Sequence, residues 1–353
     1  MDSRQSALLI FLSTLLVGST LPAWSEESDK DLPTPTGSLT IQSTIGDNLA
    51  ARSRTARIRH DGKGPTIALA LGGGGARGAA HIGVIRVFEK EHIPIDFIAG
   101  TSVGSLIGGL YAAGVPLNDI EEMMLDPHAV FKTFVPSPDV WKYGGLIPIQ
   151  LGELVGYRPL VGLYAGNKMA KFVDDKVSPE RRQIENIQIP FAAITTDLVD
   201  GKTYSITQGD LGKAIQASSS LPGLFRPVTY GKKELVDGGL SANLPTGAAR
   251  DSGADIVIAV NVDESLDSDR KEPLTTVRGL SNRVVSIVLA ALDEHQLEKA
   301  DLEIKPHISD ISLYSRKPDD VRRAIETGEA AATEALPLIR AQIAKSAAKS
   351  QRP

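Results

Sequence analysis

Ser102 lies between two glycines in Gly100-Thr101-Ser102-Val103-Gly104, a spacing suited to nucleophilic chemistry. A serine on a tight turn from strand to helix presents its Oγ outward, and the flanking glycines let both elements pack around it. Attack on a carbonyl would create an oxyanion, which needs backbone N–H groups already aimed at it. Gly72-Gly73-Gly74-Gly75-Ala76-Arg77-Gly78 can offer them, because only Ala76 and Arg77 carry a Cβ and the backbone can come close to a ligand. A third feature, Asp237-Gly238-Gly239, sets a carboxylate beside two more glycines. On its own this is an ordinary Asp-Gly turn; beside an activated serine it becomes a candidate site acid.

These residues need a scaffold, and the hydrophobic pattern supplies one. Residues 66–71 form an apolar run of strand length that delivers the glycine turn to a helix from Ala79, marked by Ile82, Ile85, Val87 and Phe88. The turn therefore sits at a helix N-terminus, where unpaired N–H groups favour negative charge. Residues 95–99 are a second strand, leading into the elbow and then a small-residue helix through Ser105, Leu106, Ile107, Leu110 and Tyr111. Further strands are expected at 187–197, 234–236 and 254–260, with helices at 116–124 and 166–173, from Asp210, and from Asn243-Leu244-Pro245. Strands separated by helices indicate an α/β fold with a mainly parallel sheet.

The glycine-rich turn from Gly73 to Gly78, the elbow and Asp237-Gly238-Gly239 follow one another in order, and 218–223 adds to the pattern. Together they resemble the patatin-like phospholipase family, which carries a G-x-G-x-x-G oxyanion motif, a G-x-S-x-G elbow on the next strand, and a downstream Asp-Gly-Gly or Asp-Gly-Ala. The resemblance covers residues 65–263. It implies a three-layer α/β/α sandwich with Ser102 as nucleophile and Asp237 as proton acceptor. It also implies an oxyanion hole around Gly73, Gly74, Gly75 and Arg77, with Gly78, Gly100, Gly104, Gly238 and Gly239 as motif residues. Arg77 has two readings, an anchor for a lipid phosphate or a brace for the loop.

A serine hydroxyl is a weak nucleophile until a neighbouring base takes its proton. An unperturbed carboxylate, with a pKa near ~4, is a poor base, so the site must raise Asp237 or position it tightly. The histidines do not offer an alternative. His60, His81, His92, His128, His295 and His307 include none that follows an acid in hydrolase order near a strand end. His81 reads as packed or capping, and Asp197 as part of a hairpin turn at 197–202. Ser218, Ser219 and Ser220 lack an elbow context and read as hydrogen-bonding residues at a helix end. No His, Asp or Glu cluster suggests a catalytic metal, and no cofactor is expected.

The chain has 353 residues and a net charge of −5, so no global basic field points to nucleic acid. Arg52, Arg54, Arg57 and Arg59 form a local cluster that reads as solvated linker. Cysteine is absent, which excludes disulfides, thiolate metal sites and a lipidated N-terminal cysteine. Residues 7–21 are apolar, follow Arg4 and precede Ala23-Trp24-Ser25, so 1–25 reads as a signal peptide of an exported protein, periplasmic or secreted. Asp2 offsets Arg4, which leaves retention as an anchor open. Residues 26–64 read as a polar linker and 65–263 as the catalytic domain. Residues 264–353 read as a mostly helical extension packed on it, with helices at 277–300 and 319–346 and a strand at 302–306. The stretch 131–164, rich in proline and holding Trp141, Tyr143, Tyr157 and Tyr164, reads as a lid or acyl-chain entrance, or as a surface excursion.

The resulting expectation is a lipid-ester hydrolase of phospholipase A or lysophospholipase type, meeting its substrate at a membrane surface. Two other readings stand beside it. One is a non-catalytic lipid-binding protein on the same fold. The other is a nucleotide-dependent oxidoreductase, since Gly73 to Gly78 also fits a dinucleotide fingerprint with Asp96 downstream.

Overall fold

In the computed structural model the described residues are 64–126, 162–164, 166–263, 266, 275, 277–308, 310–313 and 315–350. The expected signal segment, nearly all of the linker and most of the aromatic-rich stretch 131–164 lie outside them. Residues 55–353 form one unit, so the C-terminal extension is part of the same body as the catalytic core.

Strand β1 (Ile67–Leu71) is buried on both faces, as are β2 (Phe97–Thr101), β4 (Phe191–Asp197) and β9 (Ile256–Val260). Continuous apolar runs such as Ile-Ala-Leu-Ala-Leu are what a parallel sheet covered on both sides requires. These strands and β10 (Leu302–Ile304) line up as β10-β9-β1-β2-β4, each pair parallel. Beyond β4 the direction reverses: β8 (Lys233–Asp237) is antiparallel to β4, and β7 (Val228–Tyr230) is antiparallel to β8. Strand β5 (Lys202–Ile206) pairs β4 as a hairpin through Gly201, matching the Asp-Gly turn expected there. A separate two-stranded parallel ribbon joins β3 (Gly162–Tyr164) to β6 (Gly223–Phe225).

Side-chain alternation along a strand sends successive residues to opposite faces. Ile67, Leu69 and Leu71 of β1 enter a large core with α1 (Ala80–Lys90), α2 (Val103–Ala112) and α3 (Leu117–Leu125). That core also takes in α4 (Asn167–Lys176) and α5 (Leu211–Ser218). Ala68 and Ala70 face the other side, where Ala249 of α6 (Thr246–Asp251) packs on them with Phe97, Ala99 and Val257. Two cores on two faces make the three-layer α/β/α sandwich. Small alanines on the second face let the short α6 lie close.

The remaining helices are α7 (Val277–Leu297) and α8 (Pro318–Ser350). Helix α8 buries Val321, Ala324, Ile325, Ala332 and Ile339, so its Ala-rich face packs on its own domain. Arg86 of α1 bridges Glu121 of α3 and Glu329 of α8. No described helix is long and apolar enough to cross a membrane.

Three details depart from the sequence pattern. The glycine turn closes as a single 3-10 turn, Gly75–Ala79, before α1 begins. Strand β2 runs two residues further than expected, through Gly100 and Thr101, and carries the chain directly to Ser102. Strand β4 starts at Phe191, after Pro190, because the start of the apolar run is turned aside, with Gln188 and Ile189 N–H donating to the Ala112 carbonyl.

Candidate active site

Strand β4 is the rail on which the site is assembled. Thr101, just before Ser102, pairs with Ile194 in the parallel direction. Asp237 pairs with Thr195 in the antiparallel direction. Two strands of opposite sense therefore end on neighbouring residues of β4, which brings Ser102, the residue after β2, close to Asp237, the last residue of β8. Gly238 makes this approach possible, because a Cβ there would run into the Ile194 carbonyl oxygen and stand 3.2 Å from the Thr101 methyl.

Ser102 itself has φ 54 and ψ −120, a conformation that a non-glycine residue adopts only when its surroundings hold it. Its N–H donates to Ser218 Oγ at 3.1 Å, and the Ser218 hydroxyl donates to the Ile194 carbonyl at 2.6 Å. The elbow is thus tied back to the same β4 residue. A Cβ on Gly104 would collide with the Leu71 carbonyl oxygen, and one on Gly100 with Gly104 itself, so the motif glycines set the tightness of the turn.

Asp237 is 6% exposed. Its N–H donates to the Ser220 carbonyl at 3.0 Å, and its Oδ1 accepts the Gly239 N–H at 2.8 Å. The Ser102 side chain stands beside the same carboxylate and favours its ionised form. Burial pushes Asp237 up to about 6, against the pull of the Gly239 hydrogen bond and of Ser102. Desolvation thus makes this carboxylate more basic than an ordinary one.

The glycine turn is braced from several sides. Gly72 N–H donates to the Val260 carbonyl and Gly73 N–H to the Asn243 carbonyl, both at 3.1 Å, and Ala76 N–H to the Leu313 carbonyl at 2.9 Å. Among the described residues, the N–H groups of Gly74 and Gly75 donate no hydrogen bond. This corrects the expectation for Gly73: its N–H is occupied, and its part in the site is to give close passage. Arg77 lies in the same turn. Its side chain is buried and its Nε donates to the Ile311 carbonyl at 2.6 Å, so it braces the loop from behind. Gly78 lies in the 3-10 turn, where a Cβ would strike Val103 at the start of α2.

His81 is fully buried, and its Nε2 lies 2.8 Å from the Gly72 carbonyl. Burial lowers it to about 4, so the ring is neutral and must donate its Nε2–H to that oxygen. It supports the turn and, among the described residues, no histidine is bonded to Ser102 or Asp237. Asp197 accepts from Val199 N–H and pairs with Lys233 at 2.6 Å, which holds its carboxyl below the usual range. It closes the hairpin. Ser220 donates to the Gln216 carbonyl and Ser218 reaches the elbow, so these two act as helix-end hydrogen-bonders, whereas the buried Ser219 hydroxyl has no partner among the described residues.

The sequence did not single out Asn243, Asp263 or Asp293, all buried behind the glycine turn. One signal was present: Asp293 interrupts the apolar run Val288-Leu289-Ala290-Ala291-Leu292. Among the described residues no group of three or more His, Asp or Glu side chains is arranged to hold a metal.

An uncharacterized NTE family protein of Mycobacterium tuberculosis is 34% identical over 231 residues, covering 65% of this chain and 58% of its own length. Lysophospholipase NTE1 of Mycosarcoma maydis is 34% identical over 217 residues, 61% of this chain and 11% of that one. The chain thus spans just over half of the first relative and a small part of the second. VipD from Legionella pneumophila, a solved structure, is 14% identical with a TM-score of 0.45, covering 78% of this chain and 67% of that one. The family model for patatin-like phospholipases matches residues 69–250, from within β1 past both Ser102 and Asp237, and the chain belongs to that family.

Proposed function

We propose that this chain is a serine acyl hydrolase of lipid esters, acting on phospholipids or lysophospholipids through a Ser102–Asp237 dyad. The observation that carries the reading is geometric: a serine in an elbow and a buried carboxylate, Asp237, are brought side by side by neighbouring positions of β4, with burial raising Asp237 to about 6. Ser102 Oγ attacks the ester carbonyl carbon as Asp237 takes its proton. The carbonyl electrons move onto oxygen, and the N–H groups of Gly74, Gly75 and Val103 are the donors we assign to that oxyanion. Collapse expels the alcohol, which leaves with the proton from Asp237. Water then adds to the acyl-enzyme by the same route and frees the fatty acid.

The apolar segment at 7–21 and the Ala23-Trp24-Ser25 sequence support export, with the lipid surface of an envelope as the place of work. Relatives named lysophospholipase and patatin-like phospholipase domain-containing protein support the substrate class. The test is hydrolysis of phosphatidylcholine vesicles and of lysophosphatidylcholine micelles by the full chain. Ser102→Ala is expected to abolish release of fatty acid, and Asp237→Asn to lower it by about 10²- to 10⁴-fold. Binding of lipid without turnover by folded wild-type protein would favour the non-catalytic reading instead.

A further inference from the structure

Asn243 occupies the gap between the two halves of the site. Its backbone carbonyl accepts the Gly73 N–H at 3.1 Å. Its side-chain Oδ1 would stand 2.6 Å from a Cβ on Gly73 and 3.4 Å from one on Gly239. The amide oxygen therefore lies against both the glycine turn and the loop that follows Asp237. The Nδ2 end is held from behind, donating to Asp263 Oδ2 at 2.8 Å and approaching Asp293 Oδ2 at 3.3 Å.

Those carboxyls come from separate elements, Asp263 from the segment after β9 and Asp293 from α7, and they are 7% and 2% exposed. Both lie within reach of the one Asn243 amide, so they stand side by side, where like charge disfavours ionising both. Burial and the neighbouring Asp263 push Asp293 up, against the pull of Asn243 and Lys305, so the pair favours holding one proton between its two carboxyls. Gln296, one turn further along α7, accepts the Leu244 N–H at 2.7 Å and donates to the Ser241 carbonyl at 3.2 Å. A fold-only contact would be served at lower cost by apolar residues. An acid pair instead supplies acceptors for both N–H bonds of one amide and so fixes which way it points.

We propose that Asn243, oriented by the Asp263–Asp293 carboxyl pair, is a positioning residue that locks the glycine turn so that its N–H donors meet the oxyanion. This rests on the hydrolase reading above. The device acts on the transition state, so its loss lowers kcat and leaves KM nearly unchanged.

The probes are p-nitrophenyl butyrate for turnover and a fluorophosphonate for the rate of Ser102 labelling, both on the full chain. Asn243→Ala and Asp293→Ala should each lower kcat by about 10- to 100-fold, with KM within about twofold and labelling slowed in parallel. Asp293→Asn, whose amide can accept from Asn243 and donate to Asp263 in the same space, should keep kcat within about threefold of wild type. Because Asp293 acts through Asn243, Asp293→Ala should add little loss in the Asn243→Ala background. Asp293→Leu, which fills the site without a hydrogen bond, replaces the alanine variant should that one fail to fold. Full kcat in Asn243→Ala, equal losses in Asp293→Asn and the non-bonding variant, or losses that multiply would each overturn the proposal. A wild type inert to both probes would remove the hydrolase reading and this inference together; an active wild type beside an unimpaired Asn243→Ala would remove this inference alone.

Discussion

Asp237 is the residue whose environment departs furthest from what its type alone would give at the reacting centre. Only its ionised form can take the Ser102 proton, and burial sets the ionisation at about 6. The expected kcat/KM therefore falls by about tenfold per pH unit below about pH 6 and is level above it, until another group intervenes. A pH series with a neutral ester measures this directly. A limb centred near pH 4 would mean that the carboxylate is not desolvated in the working enzyme. Ser102 and Asp237, the proposed nucleophile and acid, stood out in the sequence because each lies in a local motif whose glycines mark a forced turn. Asn243 and its acid pair did not, since their roles depend on contacts spanning 20 residues of chain to Asp263 and 50 to Asp293. Local pattern carries no record of such pairings.

Among the elements, β4 does most to bring Ser102 and Asp237 together, through its register with β2 on one side of the reversal and β8 on the other. The strands and helices themselves followed from hydrophobic period, with ends displaced by a few residues where Pro190 or the 3-10 turn intervened. The reversal at β8 was not legible, because a short run such as Glu-Leu-Val gives no direction. The α1–α8 crossing was equally hidden: Gly83 faces the Ile325 carbonyl and Gly328 faces the Ala80 carbonyl, and a Cβ at either would clash with backbone. Gly328→Ala should therefore cost about 1–3 kcal/mol of stability by overpacking, despite alanine's better helix propensity. Urea denaturation reads this as a lower midpoint. A midpoint that stays or rises would show that the helices can part without penalty.

For the molecule as a whole, the C-terminal helix is part of the core and cannot be treated as an appendage. Helix α8 buries Ile325, Ala332 and Ile339 against the same cluster that holds Ile82, Ile85 and Phe88 of α1, the helix that begins where the glycine turn ends. A chain ending at Arg316 should lose its cooperative unfolding transition, as followed by circular dichroism during heating. A sharp transition near that of the full chain would contradict this packing. The central claim concerns the serine, and intact-mass analysis after fluorophosphonate treatment tests it most directly, with peptide mapping and Ser102→Ala alongside. One adduct on Ser102, absent from the variant, is the result expected of a nucleophile activated by Asp237. An adduct on another residue, or none on folded wild-type protein, would contradict the account.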